Sequence, residues 1–411
     1  MSQRKAATLP APVSPADAAK KSAQRRHDRY RIRSQLSESA PACFGGSVSS
    51  LNRVRRCGKY AVGNLVGVRV SDRGAAGKVA GFAGLEMCGS GWACPVCAAK
   101  VAAKRCEEVT GALTHHTTTG QGSAVMITLT MRHDRAQRLG YCWDNLTAAW
   151  KAATNGTPWR NDRDEFGVIG YTRITEVTHG ANGWHVHVHA LLFLDDPNPD
   201  PAMLGALGSR MFGRWRKKLR ALGMNAPVAA SGGLDVRPVY RATDLGAYLT
   251  KFGSETDAAA ASRSVALEAT RGDLKEAKNG NRTPWQILGD FLETGDCADL
   301  GLWQEYEQAS KGRRRITWTR APKDNGEVWA AVLAARGEEL TDEEIAAQDH
   351  GGETIGYIDA DDWRAVIRKH PQIPARVLSA AETSGFPGIA AVLSAVGVGC
   401  WAQRPHHSAA A

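Results

Sequence analysis

The stretch WHVHVHALLFL, residues 184–194, decides how the rest of the chain is read. In an extended strand, successive side chains point to opposite faces. Val186, Val188, Ala190, Leu192 and Leu194 then share one apolar face, and His185, His187 and His189 share the other. The apolar face belongs in a core. Three aligned imidazoles on the opposite face suit a metal site, because neutral imidazole is a common ligand. The competing interpretation is a surface histidine cluster that binds nothing.

The preceding segment, VIGYTRITEV at 168–177, is a second strand, and Asn182-Gly183 is a strong two-residue hairpin signal. That turn places Glu176 opposite His189 and Thr178 opposite His187. Directly paired residues project to the same face, so Glu176 joins the imidazoles as an oxygen ligand. A loop one residue longer would send Glu176 to the other face, leaving an ordinary exposed carboxylate. Two imidazoles and a carboxylate with open positions suit a divalent ion that also grips substrate.

Working outward, AVMITLT at 124–130 is a compact, β-branched strand. Residues 98–118 and 138–153 are helical, and 202–223 form a basic amphipathic helix. Residues 233–239 form a strand, 243–255 open a helix with Thr243 as N-cap, and 311–320 contain a short basic strand. The pattern is an α+β fold with a mostly antiparallel sheet.

Asp244, Tyr248 and Lys251 follow one another at spacings of four and three, which puts them on one helix face. A carboxylate, a phenol and a cation there combine proton transfer with phosphate binding. Tyrosine titrates near ~10 and is a poor nucleophile unless a metal polarises the phosphate. Taken alone, such a tyrosine is also an ordinary half-buried helix residue.

Cys94-Pro-Val-Cys97 forms a C-x-x-C knuckle, with Cys88 six residues before it and Cys57 the best upstream fourth ligand. His115 or His116 are alternatives to Cys57. Thiolates so spaced suit a tetrahedral structural zinc; a redox pair is the rival, disfavoured by the third nearby cysteine. Cys43, Cys106, Cys142, Cys297 and Cys400 are expected as lone thiols.

The chain has 411 residues, 52 Lys+Arg against 42 Asp+Glu, and 9 Cys. That length supports a full hydrophobic core, and no apolar run spans a bilayer. The start lacks a secretory signal, and the odd cysteine count fits a reducing compartment, so a cytoplasmic protein is expected. The charge is uneven: residues 1–60 hold 13 basic and 3 acidic residues, whereas 321–411 hold 7 and 13. A basic excess favours a polyanion, although a merely solvated surface gives the same count. Arg214, Arg216, Lys217 and Lys218 on one helix, and Arg313, Arg314 and Arg315 before Trp318, suit single-stranded DNA, where phosphates meet cations and bases stack on rings. Four regions are expected: a disordered or loosely helical basic arm (1–40), a Cys-rich zinc-binding subdomain and helix (41–120), the histidine-strand domain (121–320) and an acidic tail with short helices (321–411).

Taken in order, CPVC, MITLT at 126–130, HVHVHALLF at 185–193 and DLGAYLTK at 244–251 resemble the rolling-circle plasmid replication initiators of the single-tyrosine HUH endonuclease family, in its actinobacterial branch. The resemblance covers about residues 57–320. It implies a palm-like five-stranded antiparallel sheet with flanking helices. It also implies His187 and His189 as ligands of Mn or Mg, Glu176 in the position of a third ligand, and His185 as a recurrent outer histidine. By the same resemblance Tyr248 is the nucleophile that nicks one origin strand, leaving a 5′-phosphotyrosine and a 3′-OH primer. Asp244 stands where the family usually has a Glu that activates water at termination. A host helicase and DNA polymerase are implied partners, and the bacterial cytoplasm the implied location.

Two other classes fit parts of the pattern. A relaxase usually carries its tyrosine before the histidines, and an HUH transposase often carries two tyrosines on one helix; neither matches Tyr248. A zinc-stabilised DNA-binding regulator without catalysis would tolerate loss of Tyr248.

Overall fold

Strand pairing accounts for the architecture, and it joins segments far apart in sequence. The computed structural model of the chain describes residues 15–40, 42–43, 45–72, 74, 77–120, 122–239, 280–320 and 326–404. In chain order these form α1 (Pro15–Gln35), α2 (Asn52–Arg56), β1 (Leu65–Asp72), β2 (Lys78–Ala83), α3 (Pro95–Thr118), β3 (Ser123–Thr130), α4 (Leu139–Ala153), α5 (Gly156–Glu165), β4 (Val168–Gly180), β5 (Gly183–Leu194), α6 (Pro201–Ala221) and β6 (Leu234–Val239). They continue with α7 (Pro284–Thr294), α8 (Cys297–Ser310), β7 (Ile316–Trp318), α9 (Gly326–Arg336), α10 (Asp342–Ala347), β8 (Glu353–Asp359), α11 (Ala360–Lys369) and α12 (Ile373–Ser394). The helix expected over 243–255, with Asp244, Tyr248 and Lys251, lies outside the described residues. No helix among the described residues is long and apolar enough to cross a membrane.

The chain divides into two compact units, each built from separate stretches. One comprises residues 102–290 and 308–339 and carries a five-stranded antiparallel sheet in the order β6-β3-β5-β4-β7. The mixed α+β class and the five antiparallel strands agree with the sequence reading. β5 lies between β3 and β4, so its even-numbered apolar residues are fully buried. α4 and α6 pack on one another and contact β5 and β3, while Trp150 and Trp159 meet the Tyr171 ring of β4. The odd face divides along its length. Leu191 and Phe193 enter a core with Val109 and Leu113 of α3 and Trp329 and Val332 of α9. Nearer the hairpin, the same face carries the three histidines. Gly170, opposite Phe193, leaves room for the Trp329 ring: a Cβ there would sit 2.3 Å from ring carbon.

The hairpin is closed by Ala181-Asn182, with Gly180 paired to Gly183, so Glu176 lies opposite His187 and Thr178 opposite His185. The expected register is therefore off by two residues. A slip of two conserves side-chain parity, which keeps Glu176 on the histidine face. Gly183, just after the turn, adopts φ +86°, and a Cβ there would come within 3.1 Å of the Arg135 backbone, so the position favours glycine.

The second unit comprises residues 14–101, 291–307 and the chain from 340 onward, with a three-stranded antiparallel sheet in the order β2-β1-β8. Val66 and Val68 of β1 pack with Ile358 of β8, Trp363 and Ile367 of α11, and Ile373, Leu378, Ile389 and Leu393 of α12. Parts of the first and last of the four expected regions belong to this unit. The acidic segment after 321 is no tail, because β8 completes the small sheet and its helices supply the core. Residues 15–35 are a helix, the helical alternative of the reading for this segment. Tyr30 of α1 joins that core, Leu36 beyond it is fully buried, and Arg26 forms a two-pronged pair with Glu382 at 2.8 and 2.5 Å. Basic residues counted as DNA-seeking are in part structural. Cys43 and Cys297, expected as lone thiols, form a disulfide, with Cα atoms 5.0 Å apart.

Leu36→Ala is expected to destabilise this unit by about 2–5 kcal/mol, the usual cost of emptying a buried leucine site. Chemical denaturation checks this; an unchanged midpoint would return 1–40 to the status of an arm.

Candidate functional site

Alternation in β5 and the β4–β5 register bring three ligand atoms to one point. The Nε2 atoms of His187 and His189 are 3.0 Å apart, and Glu176 Oε2 lies 3.2 Å from the first and 2.9 Å from the second. Their side chains are only 12–20% exposed. Ligands at right angles around an ion at ~2.1 Å are separated by roughly 3.0 Å, so this triangle fits three adjacent positions of an octahedral divalent ion. A carboxylate with two imidazoles is a donor set for such an ion, with the remaining positions available to substrate oxygens.

A neighbouring strand orients the ligands. Thr128 of β3 pairs with His189, and its Oγ1 lies 3.0 Å from His189 Nδ1. Donation from Nδ1–H to that hydroxyl leaves Nε2 bare for a cation, the usual arrangement behind a metal-bound histidine. His185 falls outside the triangle, which corrects its place among the ligands. Its Nδ1 instead meets His133 Nε2 at 3.0 Å, and His133 Nδ1 donates to the Asn182 carbonyl at 2.8 Å. Burial, then the neighbouring His187 and His133, push the His185 imidazole down to about 4, so the pair is neutral at physiological pH. Thr128 and His133 were not found by sequence reasoning. Thr128 depends on the β3–β5 register, and His133 follows the strand in MRHDR, where it showed no pairing signal.

The cysteine group is assembled at the ends of three elements. Cys57 ends α2, Cys88 follows β2, and Cys94 and Cys97 flank the start of α3. All four are buried, with sulfur–sulfur distances of 3.5 Å (Cys57–Cys97), 3.6 Å (Cys57–Cys94) and 3.7 Å (Cys88–Cys97). A tetrahedron with ~2.3 Å zinc–sulfur bonds has edges near ~3.8 Å, so the group fits a structural zinc. His116 is instead committed to the Leu194 carbonyl at 2.8 Å. Thiol contacts from Cys88, Cys94 and Cys97 hold the Cys57 thiol well below its usual range, while burial pushes Cys94 well above it. Cation binding removes that conflict by taking all four as thiolates.

The basic residues separate into two kinds. Arg214 pairs with the buried Asp162 at 2.5 Å and donates to the Ala153 carbonyl, so it clasps α6 to its neighbours. Arg313 pairs with Asp144 at 2.8 Å and lies over the Trp143 ring, and Trp318 is packed against Phe193 and Trp329. For Arg214, Arg313 and Trp318 the expected nucleic-acid role gives way to packing. Arg216 and Lys217 are exposed, Lys218 and Arg315 are half-buried, and Arg314 is exposed with Glu339 at 3.7 Å.

Comparison with known proteins bears on both groups. A replication-protein family model matches residues 83–197, a span holding Cys88, Cys94, Cys97, Glu176, His187 and His189. The protein named Rep from Streptomyces lividans is 30% identical over 350 residues, covering 70% of this chain and 73% of that protein. The chain belongs to this replication-protein family. A Streptomyces cyanogenus protein named for neomycin resistance is 34% identical over 136 residues, 27% of this chain and 31% of that protein. No solved structure matches.

Metal analysis of the purified replication protein is expected to find about one tightly held zinc per chain, lost together with thermal stability in Cys94→Ser/Cys97→Ser. Thr128→Val is expected to weaken manganese binding at the Glu176–His187–His189 group about 10–100-fold in calorimetric titration while leaving the zinc in place.

Proposed function

We propose that the chain is a plasmid rolling-circle replication initiator. On this reading it is an origin-specific, divalent-metal-dependent single-strand DNA endonuclease and strand transferase of the single-tyrosine HUH type. The observation that carries the reading is the convergence of Glu176, His187 and His189 on one point of an antiparallel sheet, in a member of a replication-protein family.

Mn or Mg held by those three residues would withdraw charge from the non-bridging oxygens of the scissile phosphate. The Tyr248 phenol oxygen bonds to phosphorus and loses its proton, while the bond to the 3′ oxygen breaks and that oxygen becomes a 3′-OH. One ester replaces another, so the energy of the broken link is kept in a 5′-phosphotyrosine and rejoining needs no further energy source. Asp244 serves as the base that activates water at termination, and Lys251 offsets phosphate charge. Arg216 and Lys217, both exposed on α6, contribute non-specific phosphate contacts. The 3′-OH passes to a host helicase and DNA polymerase in the bacterial cytoplasm. The four-cysteine zinc holds the small unit's fold and takes no part in the chemistry.

On a single-stranded oligonucleotide carrying the plasmid origin, with manganese, Tyr248→Phe is expected to abolish nicking and the covalent adduct while binding stays near wild type. His187→Ala or EDTA is expected to stop nicking as well. An active Tyr248→Phe protein, or nicking that persists in EDTA, would overturn the assignment. Asp244→Ala is expected to spare nicking and impair termination, read as accumulated multimeric product.

A further inference from the structure

Beside the histidine row lies a cleft of about 640 Å³, lined among others by His133, His185, Arg132, Arg135, Asn182 and Val228. That volume falls within the ~300–1,000 Å³ that receives one compact ligand. We propose that this cleft is a subsite for one unstacked nucleotide of a single DNA strand, next to the scissile phosphate. The proposal deepens the nicking assignment and rests on it for the identity of the strand.

Charge supports an anion. Arg132 and Arg135 are exposed and form no ion pair among the described residues, whereas Arg210, Arg214 and Arg313 are each matched to a carboxylate. Asp134 also lines the cleft and accepts from the Ala136 backbone N–H at 3.0 Å, so the wall sets two guanidiniums against one carboxylate and keeps a positive balance. The wall chemistry suits a base. His133 offers a ring for stacking, fixed in orientation by its bonds to Asn182 and His185, and Val228 is an exposed apolar residue at 47%. The shape selects an unpaired strand, because a paired base must leave its stack before it can enter a concave pocket. Position links the cleft to the chemistry: His185 lines it, and the His185 and His187 rings are 5.1 Å apart. A strand with its phosphate at the Glu176–His187–His189 point thus has the cleft one histidine away from that phosphate.

The test uses the full-length protein in EDTA and a 20-nucleotide single-stranded DNA pool carrying 5-iododeoxyuridine. Irradiation is expected to link the wild type to peptides covering 130–135 or 225–233, with duplex of the same length competing poorly. Arg132→Ala/Arg135→Ala is expected to weaken binding at least 10-fold. It should also flatten the log–log salt dependence by roughly 1.4, for two lost phosphate contacts at ~0.7 each. Ser231→Trp, which fills the cleft from an exposed position, is expected to abolish the crosslink. Wild-type affinity in both variants, crosslinks confined to other peptides, or equal competition by duplex would overturn the subsite. A parallel nicking assay with manganese separates the two readings. Nicking without cleft labelling removes the subsite alone, and cleft labelling without nicking removes the enzymatic assignment alone.

Discussion

Three donor atoms held about 3 Å apart on a half-buried surface must either share protons or hold a cation between them. Glu176 Oε2 and the Nε2 atoms of His187 and His189 are in that position, and the pairing of β4 with β5 keeps them there. That pairing is in turn secured by the opposite face of β5, whose buried apolar residues lie against the side packed by α4 and α6. Sliding β4 by one residue would cost both the core and the ligand set, since each depends on the same two-residue period. The site is therefore not an addition to the sheet. Its ligands and the core are two faces of one strand pair.

Much of this was legible in the sequence because it follows from period alone. The alternation in WHVHVHALLFL specifies which residues share a face, and parity alone sufficed to bring Glu176 to them. What parity cannot specify is register. The turn was expected at Asn182-Gly183 and occurs at Ala181-Asn182, with Gly183 just after it in the left-handed region and against the backbone of Arg135. Thr128 escaped notice for the same reason, since its partner is set by a pairing across more than 60 residues. The four cysteines were found by spacing, helped by the short reach of the C-x-x-C knuckle. Tyr248 and its helix neighbours rest on the sequence resemblance, outside the described residues.

Segment composition was the poorest guide. Composition and charge make residues 1–40 a disordered or loosely helical arm and 321–411 an acidic tail with short helices, yet α1 and β8 both belong to one folded unit. Charge counts describe what a segment shows to solvent on average, whereas folding is decided by the few apolar residues among those charges. Tyr30, Ile358 and Trp363 are such residues, and their partners lie hundreds of positions away. Likewise an arginine-rich run does not specify which guanidiniums remain for a ligand. Asp162 and Asp144, each distant in sequence, take Arg214 and Arg313 out of that set.

The bond between Cys43 and Cys297 has a topological consequence. It closes a covalent ring with a sequence separation of 254 residues, running through β1, the cysteine group, the whole histidine hairpin and the Tyr248 segment. A single break of the backbone anywhere in that ring leaves one molecule rather than two. While the bond is oxidised, the four clustered cysteines, Glu176, His187, His189 and Tyr248 stay on one connected chain even after proteolytic cleavage between them, and fragments separate only on reduction.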